Sequence, residues 1–253
     1  MNYDIGKILE EWPFNPDEFT ARRIKTAEGE EKIQIRIDMG ILQLETEGRP
    51  DGKRPHGCAS LLEYYRAQLH ASDGATLDEE ECEDLFQEAW QYYHRYLSLF
   101  YLEDYLGVQR DTGHTLAIFD LVQDNAADED IKWYFEQYYP HAVMMQTRAR
   151  AMQALQSEDY RAAMSHVDDG IHHIERFVEQ WEADDVEEEL PEISFLREWR
   201  EELEEERPLS QREQLERDLR VAVDSENFEE AARLRDKIRT MWPPPRRLFR
   251  PER

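Results

Sequence analysis

The sequence contains little that points to export or to a membrane. Cys58 and Cys82 are its only cysteines, and they form no Cys-x-x-Cys pair. No apolar run approaches the roughly 20 residues that a membrane-spanning helix needs. The opening residues, Met-Asn-Tyr-Asp-Ile-Gly-Lys, carry neither the basic start nor the apolar core of a signal peptide. We therefore predict a soluble protein of the reducing cytoplasm, without a membrane partner.

Basic residues are also scarce. The chain has 31 Lys and Arg against 58 Asp and Glu, a formal net charge of -27. Such a surface repels polyanions, so we expect no direct nucleic-acid binding by the main body. Hydrophobic residues at 40% and aromatic residues at 11% are nevertheless too frequent for a disordered chain. The protein should therefore fold.

Catalytic signatures are missing as well. There is no Gly-x-Ser-x-Gly sequence and no phosphate-binding glycine loop, so we predict no catalytic residue and no cofactor, and an enzyme has little support. Two Asp-x-x-His pairs, Asp111 with His114 and Asp169 with His172, have a spacing that could direct both side chains to one metal. We interpret both pairs as surface charge and helix capping and predict no metal site. A metal-binding helical protein stays a third alternative.

The N-terminal part shows one clear strand pattern. Residues 1–31 have no sustained period, and we interpret them as an irregular arm with one short helix. Ile33, Ile35 and Ile37 then alternate with polar residues, as in a half-buried strand, and the alternation changes phase at Gly40. The pattern predicts a two-stranded hairpin or a bulged strand.

A glycine- and proline-rich loop follows the strands. Its sequence from Gly48 to Gly57 crowds five polar or charged residues into a turn: Arg49, Asp51, Lys53, Arg54 and His56. The candidate binding residues among them are Arg49, Asp51, Arg54 and His56. Loops of this composition can bind an anion or a partner carboxylate. A solvated turn is the alternative interpretation.

From Ser60 onward the periodicity is helical. Thr76 and Glu79 have the spacing of a capping box. An aromatic cluster follows on the same helix, and we interpret it as core rather than as a ligand cage: Trp90, Tyr92, Tyr93, Tyr96, Phe100 and Tyr101. Further helices are predicted over residues 112–125, 130–139, 141–156, 160–181 and 182–206, with Pro140 as one of the breaks.

The last part of the chain predicts a helical hairpin. Ser210 and Glu213 form a second capping-box spacing, and Asn227 and Glu230 form a third. The two apolar stripes are Leu215, Leu219 and Ala222 on the first helix, and Ala231, Leu234, Ile238 and Met241 on the second. Two amphipathic helices joined by about three residues fold back on each other.

These residues carry a family resemblance. The first stripe, followed by Asn-Phe-Glu-Glu-Ala-Ala-Arg-Leu-Arg-Asp-Lys-Ile at 227–238, closely resembles the UVR motif of the excinuclease subunits UvrB and UvrC and of several bacterial stress-response proteins. The resemblance implies a module that binds another protein, often a second copy of the motif, and implies no excision chemistry. The residues expected to bind the partner are Leu219, Phe228, Ala231, Leu234, Arg235 and Ile238. With its Gly-Arg-Pro-Asp-Gly sequence upstream, the chain is also similar to a group of bacterial proteins that end in a UVR motif.

An internal echo indicates a repeat. The sequence Ser-Glu-Asp-Tyr-Arg-Ala-Ala-Met at 157–164 resembles residues 225–232, where the second helix of the predicted hairpin begins. The two segments are separated by two periods of the 34-residue tetratricopeptide (TPR) repeat. Ala151, Ala163 and Gly170 occupy positions where these repeats resemble one another in having small residues, although the characteristic Trp and Leu-Gly are missing. The resemblance implies a TPR-like stack over about 77–203 with a concave binding surface.

We therefore predict a mainly α-helical chain in four parts. They are an N-terminal arm and β element (1–59), a TPR-like helical body (60–207), a UVR-like hairpin (208–241) and a basic, proline-rich tail (242–253). The predicted function is a protein–protein interaction adaptor, and the alternative is an accessory factor of nucleotide excision repair that pairs with an excinuclease subunit. The tail either binds a separate anionic partner or lies along the acidic segment at 182–206.

Overall fold

The computed structural model describes residues 4–72, 74–180 and 190–241. Contacts between Cα atoms divide the chain into two compact units, Met1–Glu204 and Glu205–Arg253. The described residues are mainly helical, with a small antiparallel sheet in the first unit and a helical hairpin in the second. This confirms the predicted fold class of helices, an N-terminal β element and a C-terminal hairpin. The predictions for the basic tail and for residues 181–189 lie outside the described residues.

A short helix, α1 (Gly6–Glu11), precedes a three-stranded sheet of β1 (Ala21–Lys25), β2 (Glu31–Ile37) and β3 (Gly40–Glu45), in that order. The predicted hairpin is confirmed by β2 and β3, and Ile33 and Ile35 are buried as their alternation requires. The one short helix expected within residues 1–31 is confirmed by α1, but describing the rest as irregular was wrong, because β1 pairs along its whole length with β2. Its sequence, Ala-Arg-Arg-Ile-Lys, has too few apolar residues to show a strand period, so only the pairing with β2 defines it.

Seven more helices precede the hairpin among the described residues. They are α2 (Leu61–Ala71), α3 (Glu79–Tyr101), α4 (Tyr105–Asn125), α5 (Glu129–Glu136), α6 (Tyr139–Gln156), α7 (Tyr160–Gln180) and α8 (Pro191–Glu206). The last of them, α8, ends two residues into the second unit. The capping box of α3 consists of Asp78 and Glu81, not of Thr76 and Glu79. The reason is that Leu77 is extended, since its backbone N–H donates to the carbonyl of Asn125 at 3.0 Å. Pro140 was predicted to separate two helices but lies in the first turn of α6. A proline is tolerated there because the N–H groups of the first turn have no acceptor within the helix.

The core of the first unit consists of three hydrophobic clusters. The first joins α2, α3, α4 and α5, the second packs the sheet against α3, α4 and α6, and the third lies among α6, α7 and α8. Tyr92 and Tyr96 are buried, as the prediction of an aromatic core requires. Trp90 and Tyr101 are wrongly included in that core, because 46% and 47% of their surfaces are exposed.

Helices α6 and α7 approach each other closely at Gly170. A methyl group at this position would lie 2.2 Å from Thr147 Oγ1, so no larger residue fits without movement. Ala151 on α6 and Ala163 on α7 are fully buried beside the same contact. The small residues singled out in the sequence therefore do pack a helix pair.

A buried ion pair links α3 to α4. Arg95 and Asp111 are both fully buried, with Arg95 Nε 2.6 Å and Nη2 2.9 Å from the two carboxylate oxygens. Arg110 Nε adds a third bond to Asp111 at 2.9 Å. The interpretation of Asp111 and His114 as surface charge was wrong, because Asp111 neutralises a buried arginine and His114 bonds the buried carboxylate of Glu88 at 3.0 Å.

Candidate protein-binding site

The second unit is a helical hairpin of α9 (Gln211–Asp224) and α10 (Phe228–Met241). Its first helix starts with the predicted capping box, which is confirmed: the backbone N–H of Glu213 donates to Ser210 Oγ at 3.3 Å, and that of Ser210 donates to Glu213 Oε2 at 2.8 Å. Arg207 adds two bonds to the same carboxylate at 2.6 and 3.0 Å. These bonds, from Arg207 first, hold the pKa of Glu213 well below its usual range. The start of α9 is thus fixed by charge-assisted hydrogen bonds.

The connection between the helices is a tight, left-handed turn. Glu226 has φ +57°, and the backbone N–H of Asn227 donates to the carbonyl of Ala222 at 2.8 Å, the bond typical of a Schellman motif. Asn227 then caps α10 by accepting from the backbone N–H of Glu230 at 3.3 Å. This short turn reverses the chain so that the two apolar stripes meet.

The two stripes form a small core of their own. Leu215, Ala222, Ala231 and Leu234 are buried, and Leu219 and Ile238 pack against them half-buried. These six side chains occupy most of the two stripes, and a core of this size is small for a folded module. Of the residues predicted to bind a partner, Ala231 and Leu234 are therefore occupied within the hairpin, and Leu219 and Ile238 are partly so.

The exposed apolar residues of the hairpin concentrate at its turn. Val221, Val223 and Phe228 are 61%, 48% and 69% exposed, and we call these three residues the turn surface. Arg235 is also exposed and is paired with Asp236 at 3.0 Å. Val221 and Val223 were not predicted, although a valine on each side of the inward Ala222 was a signal that could have found them. Val221 and Val223 lie about 100° to either side of the inward Ala222, so they flank α9 at its turn end. Large apolar residues exposed at one end of a small module favour that end as a protein-binding surface.

The predicted loop at 48–57 divides between the interior and the surface. The side chain of Arg49 is only 10% exposed, with Nε 3.1 Å from Glu88 Oε2 and Nη1 3.5 Å from Asp51 Oδ2. Gly52, at φ +73°, closes the tight turn by donating to the carbonyl of Arg49 at 2.9 Å. Arg54 and His56 are exposed, and His56 stacks on Tyr64 with ring centroids 4.0 Å apart. The structure thus brings Arg49 and Asp51 together in inward ion pairs and leaves Arg54 and His56 on the surface.

Sequence reasoning missed the carboxylate that anchors this loop. Glu88 is fully buried and accepts from the backbone N–H groups of Leu61 and Leu62 at 2.7 and 3.2 Å, at the start of α2. A carboxylate is favourable there because the first N–H groups of a helix have no partner within it. Nothing in the acidic sequence around Glu88 distinguishes it from its exposed neighbours.

The first unit also contains an open aromatic groove of about 340 Å³. Its lining includes Phe86, Trp90, Tyr93 and Tyr138, and Trp90 stacks on Tyr93 with ring centroids 4.9 Å apart. His141 lies in the same groove, and burial lowers its pKa. Part of the aromatic cluster on α3 thus lines a surface groove, which the sequence pattern alone did not separate from the core.

The second Asp-x-x-His pair lies on the surface of the first unit. Asp169 and His172 are exposed on α7, where His172 Nδ1 lies 2.7 Å from the carbonyl of Asp168. Within residues 4–72, 74–180 and 190–241, no three His, Cys, Asp or Glu residues are grouped as metal ligands. In the same ranges no helix combines the length and the apolar character needed to cross a membrane.

Comparison with known proteins identifies the hairpin and nothing else. Residues 210–241 match the model of the UvrB/uvrC motif, named UVR. The match begins at the capping serine of α9 and ends at the last residue of α10, so it covers the whole hairpin. No curated protein and no solved structure matches the chain.

Proposed function

We propose that the chain is a cytoplasmic, bacterial protein–protein interaction adaptor that binds its partner through the UVR hairpin. The observation that carries this proposal is the coincidence of the motif match at 210–241 with a separately compact unit whose turn surface is exposed. The partner is a protein, either another UVR-motif protein or a second copy of this chain. The strong net negative charge of -27 supports a protein rather than a nucleic acid as ligand of the main body.

Burial divides the proposed partner-binding residues into two groups. Phe228 and Arg235 are exposed and would contact the partner directly. Leu219 and Ile238, which are half-buried, would border the contact. Ala231 and Leu234 are buried in the hairpin and would act by keeping the two helices in register.

The helical body is proposed to act as a second interaction surface of TPR type. Two observations support this proposal. Helices α6 and α7 pack closely at Gly170, and residues 157–164 resemble residues 225–232 at a distance of two TPR periods. The open groove beside Trp90 supplies exposed aromatic surface, and Arg54 and His56 supply exposed polar groups in the loop at 48–57. We also propose that the chain divides into four parts, with boundaries after residues 59, 207 and 241.

A capture experiment tests the proposal. The immobilised full chain is exposed to a bacterial cytosolic extract beside the variant Phe228→Ala and the control Met241→Gln, which removes an exposed apolar residue at the opposite end of the hairpin. Burying a phenylalanine on a partner contributes about 1.5–3 kcal/mol, which is about 10- to 100-fold in Kd. We expect Phe228→Ala to lose the partner and Met241→Gln to keep it. Equal capture by both would refute binding through the turn surface.

The second candidate is an accessory factor of nucleotide excision repair that pairs with an excinuclease subunit. The UvrB/uvrC origin of the matched motif favours it. Purified UvrB and UvrC subunits, each titrated with the full chain and with Phe228→Ala, test this alternative directly. Binding by the wild type that Phe228→Ala weakens would support it, and no binding by either subunit would exclude it.

A further inference from the structure

A second cavity in the first unit, of about 300 Å³, carries an unusual set of hydrogen-bond acceptors. Its walls come from α4, α5, α6 and α7. Glu136, a residue that is only 6% exposed, contributes a carboxylate that has no hydrogen-bond or ion-pair partner within the described residues. Gln123 contributes a buried Oε1 atom that also lacks a partner there. Asp120 supplies a second carboxylate. Gln123 Oε1 is a buried acceptor without a donor among the described residues, which is costly, whereas Asp120 is exposed. A donor-rich ligand that reaches all three groups would satisfy Gln123 and pair with both carboxylates.

The electrostatics of the cavity favour a cation. Glu136 is the last residue of α5, and Gln123 lies in the last turn of α4, so two helix C-termini place their partial negative charge at this cavity. The pKa of Glu136 is raised to about 7, first by burial and then by repulsion from Asp120. Burial and the neighbouring Asp124 also raise the pKa of Asp120, which Arg66 on α2 opposes. Within the described residues, no lysine or arginine forms an ion pair with either carboxylate.

The basic residues that line the cavity do not neutralise the two carboxylates. Arg176 and His173 reach the cavity from α7, and both are exposed. Arg176 Nε donates to the carbonyl of His172 in its own helix at 3.4 Å, and within the described residues Arg176 forms no ion pair with Glu136 or Asp120. Tyr139 and Phe177 stack face to face in the wall, with ring centroids 4.8 Å apart. Aromatic faces beside carboxylates suit a planar cation better than a compact one.

We propose that this cavity binds a guanidinium group, held by the carboxylates of Glu136 and Asp120 and by Gln123 Oε1 against the Tyr139–Phe177 pair. The guanidinium belongs either to a free small molecule or to an arginine side chain. A guanidinium has five donors in a planar fork, which matches two carboxylates and an amide oxygen. The site is independent of the hairpin and goes beyond the proposed function.

Calorimetric titration of the full chain with agmatine tests the site. Glu136→Gln, which keeps the shape of the side chain, should weaken binding at least about tenfold, as expected for a lost charge-assisted contact. Asp130→Asn removes an equal charge from the exposed start of α5 and should leave the affinity unchanged. 1,5-Diaminopentane, which keeps the two positive charges of agmatine but replaces its guanidinium by an ammonium, should bind several-fold more weakly. Equal affinity of Glu136→Gln and wild type, or of the two ligands, would overturn the proposal.

The pH dependence supplies a second readout. Only ionised Glu136 attracts the cation, so affinity should rise about tenfold from pH 6 to pH 8, in proportion to the ionised fraction, and binding should release protons at pH 7. Asp120→Asn, which should bind agmatine more weakly, serves if Glu136→Gln fails to fold. A blocked Gly-Arg-Gly peptide distinguishes the sources: binding comparable to that of agmatine supports an arginine side chain, and agmatine binding alone supports a small molecule. No binding of either ligand at millimolar concentration would refute the site.

Discussion

Replacing Gly170 by alanine should destabilise the first unit by wedging α6 and α7 apart. The added methyl carbon would lie 2.2 Å from Thr147 Oγ1, 2.6 Å from its Cγ2 and 2.9 Å from its Cβ. Thr147 is buried, and rotating its side chain would still leave its Cβ atom 2.9 Å from the added carbon, so the backbones must move. Overpacking of this kind costs about 1–3 kcal/mol, and the better helix propensity of alanine returns about 1 kcal/mol. Because three contacts are too short, we expect the upper part of that cost, about 2–3 kcal/mol, and hence a net loss of about 1–2 kcal/mol.

Urea unfolding followed by circular dichroism measures this loss, and the chain offers a matched control. Gly113→Ala also places a methyl group inside a helix, but its nearest neighbour there is Gln146 Nε2 at 3.7 Å, so stability should rise by about 0.5–1 kcal/mol. Adding Thr147→Ala to Gly170→Ala removes the two closest atoms and should recover most of the loss in a double-mutant cycle. A Gly170→Ala protein as stable as the wild type, or no coupling to Thr147, would refute the close packing.

Three further perturbations test other parts of the account. Asp111→Leu leaves the buried Arg95 without its carboxylate, so urea unfolding should show a loss of about 3–5 kcal/mol; a loss below about 1 kcal/mol would contradict a buried pair. Glu136 has a native pKa raised from 4.5 to about 7, so the native state holds the extra proton and wild-type stability should fall as pH rises between these values. Glu136→Gln should abolish this fall and be the more stable protein at pH 8, and an unchanged pH profile would exclude the shift. The pKa of Glu213 is lower in the native state than in the unfolded state. Its bonds to Arg207 and Ser210 therefore stabilise the hairpin at a pH above the unfolded-state pKa, and this stabilisation is lost as the pH falls through the native-state pKa. The helicity of the hairpin should decline on acidification, and it should decline less in Glu213→Gln.

The sequence was most informative where local rules decide the structure. The hairpin is the clearest case, because the capping residues Ser210 and Asn227 and the two apolar stripes act over a few residues. Ile33 and Ile35 revealed β2 for the same reason. The strand β1 could not be found, since it exists by pairing with β2 rather than by its own pattern.

Long-range contacts limited the prediction of sites. Glu88, Asp111 and Glu136 look like other acidic residues of helices, and only the packing of distant segments makes them a loop anchor, a buried ion-pair partner and a cavity carboxylate. The apolar stripe of the hairpin was correctly identified but serves mainly its own core. Which residues remain for a partner depends on the turn geometry, and this left Phe228 at the surface.

Partner capture by the hairpin, measured with its turn surface removed, tests the central claim most directly. The full chain carrying Val221→Ser and Phe228→Ala should keep the helical content and cooperative melting of the wild type, because both side chains are exposed in the second unit. Its affinity for the partner captured by the wild type should fall at least about tenfold, the loss expected for one buried aromatic contact. Undiminished affinity in this variant would contradict the account, and so would loss of binding accompanied by unfolding of the whole chain, since the hairpin would then be a structural cap rather than a binding module.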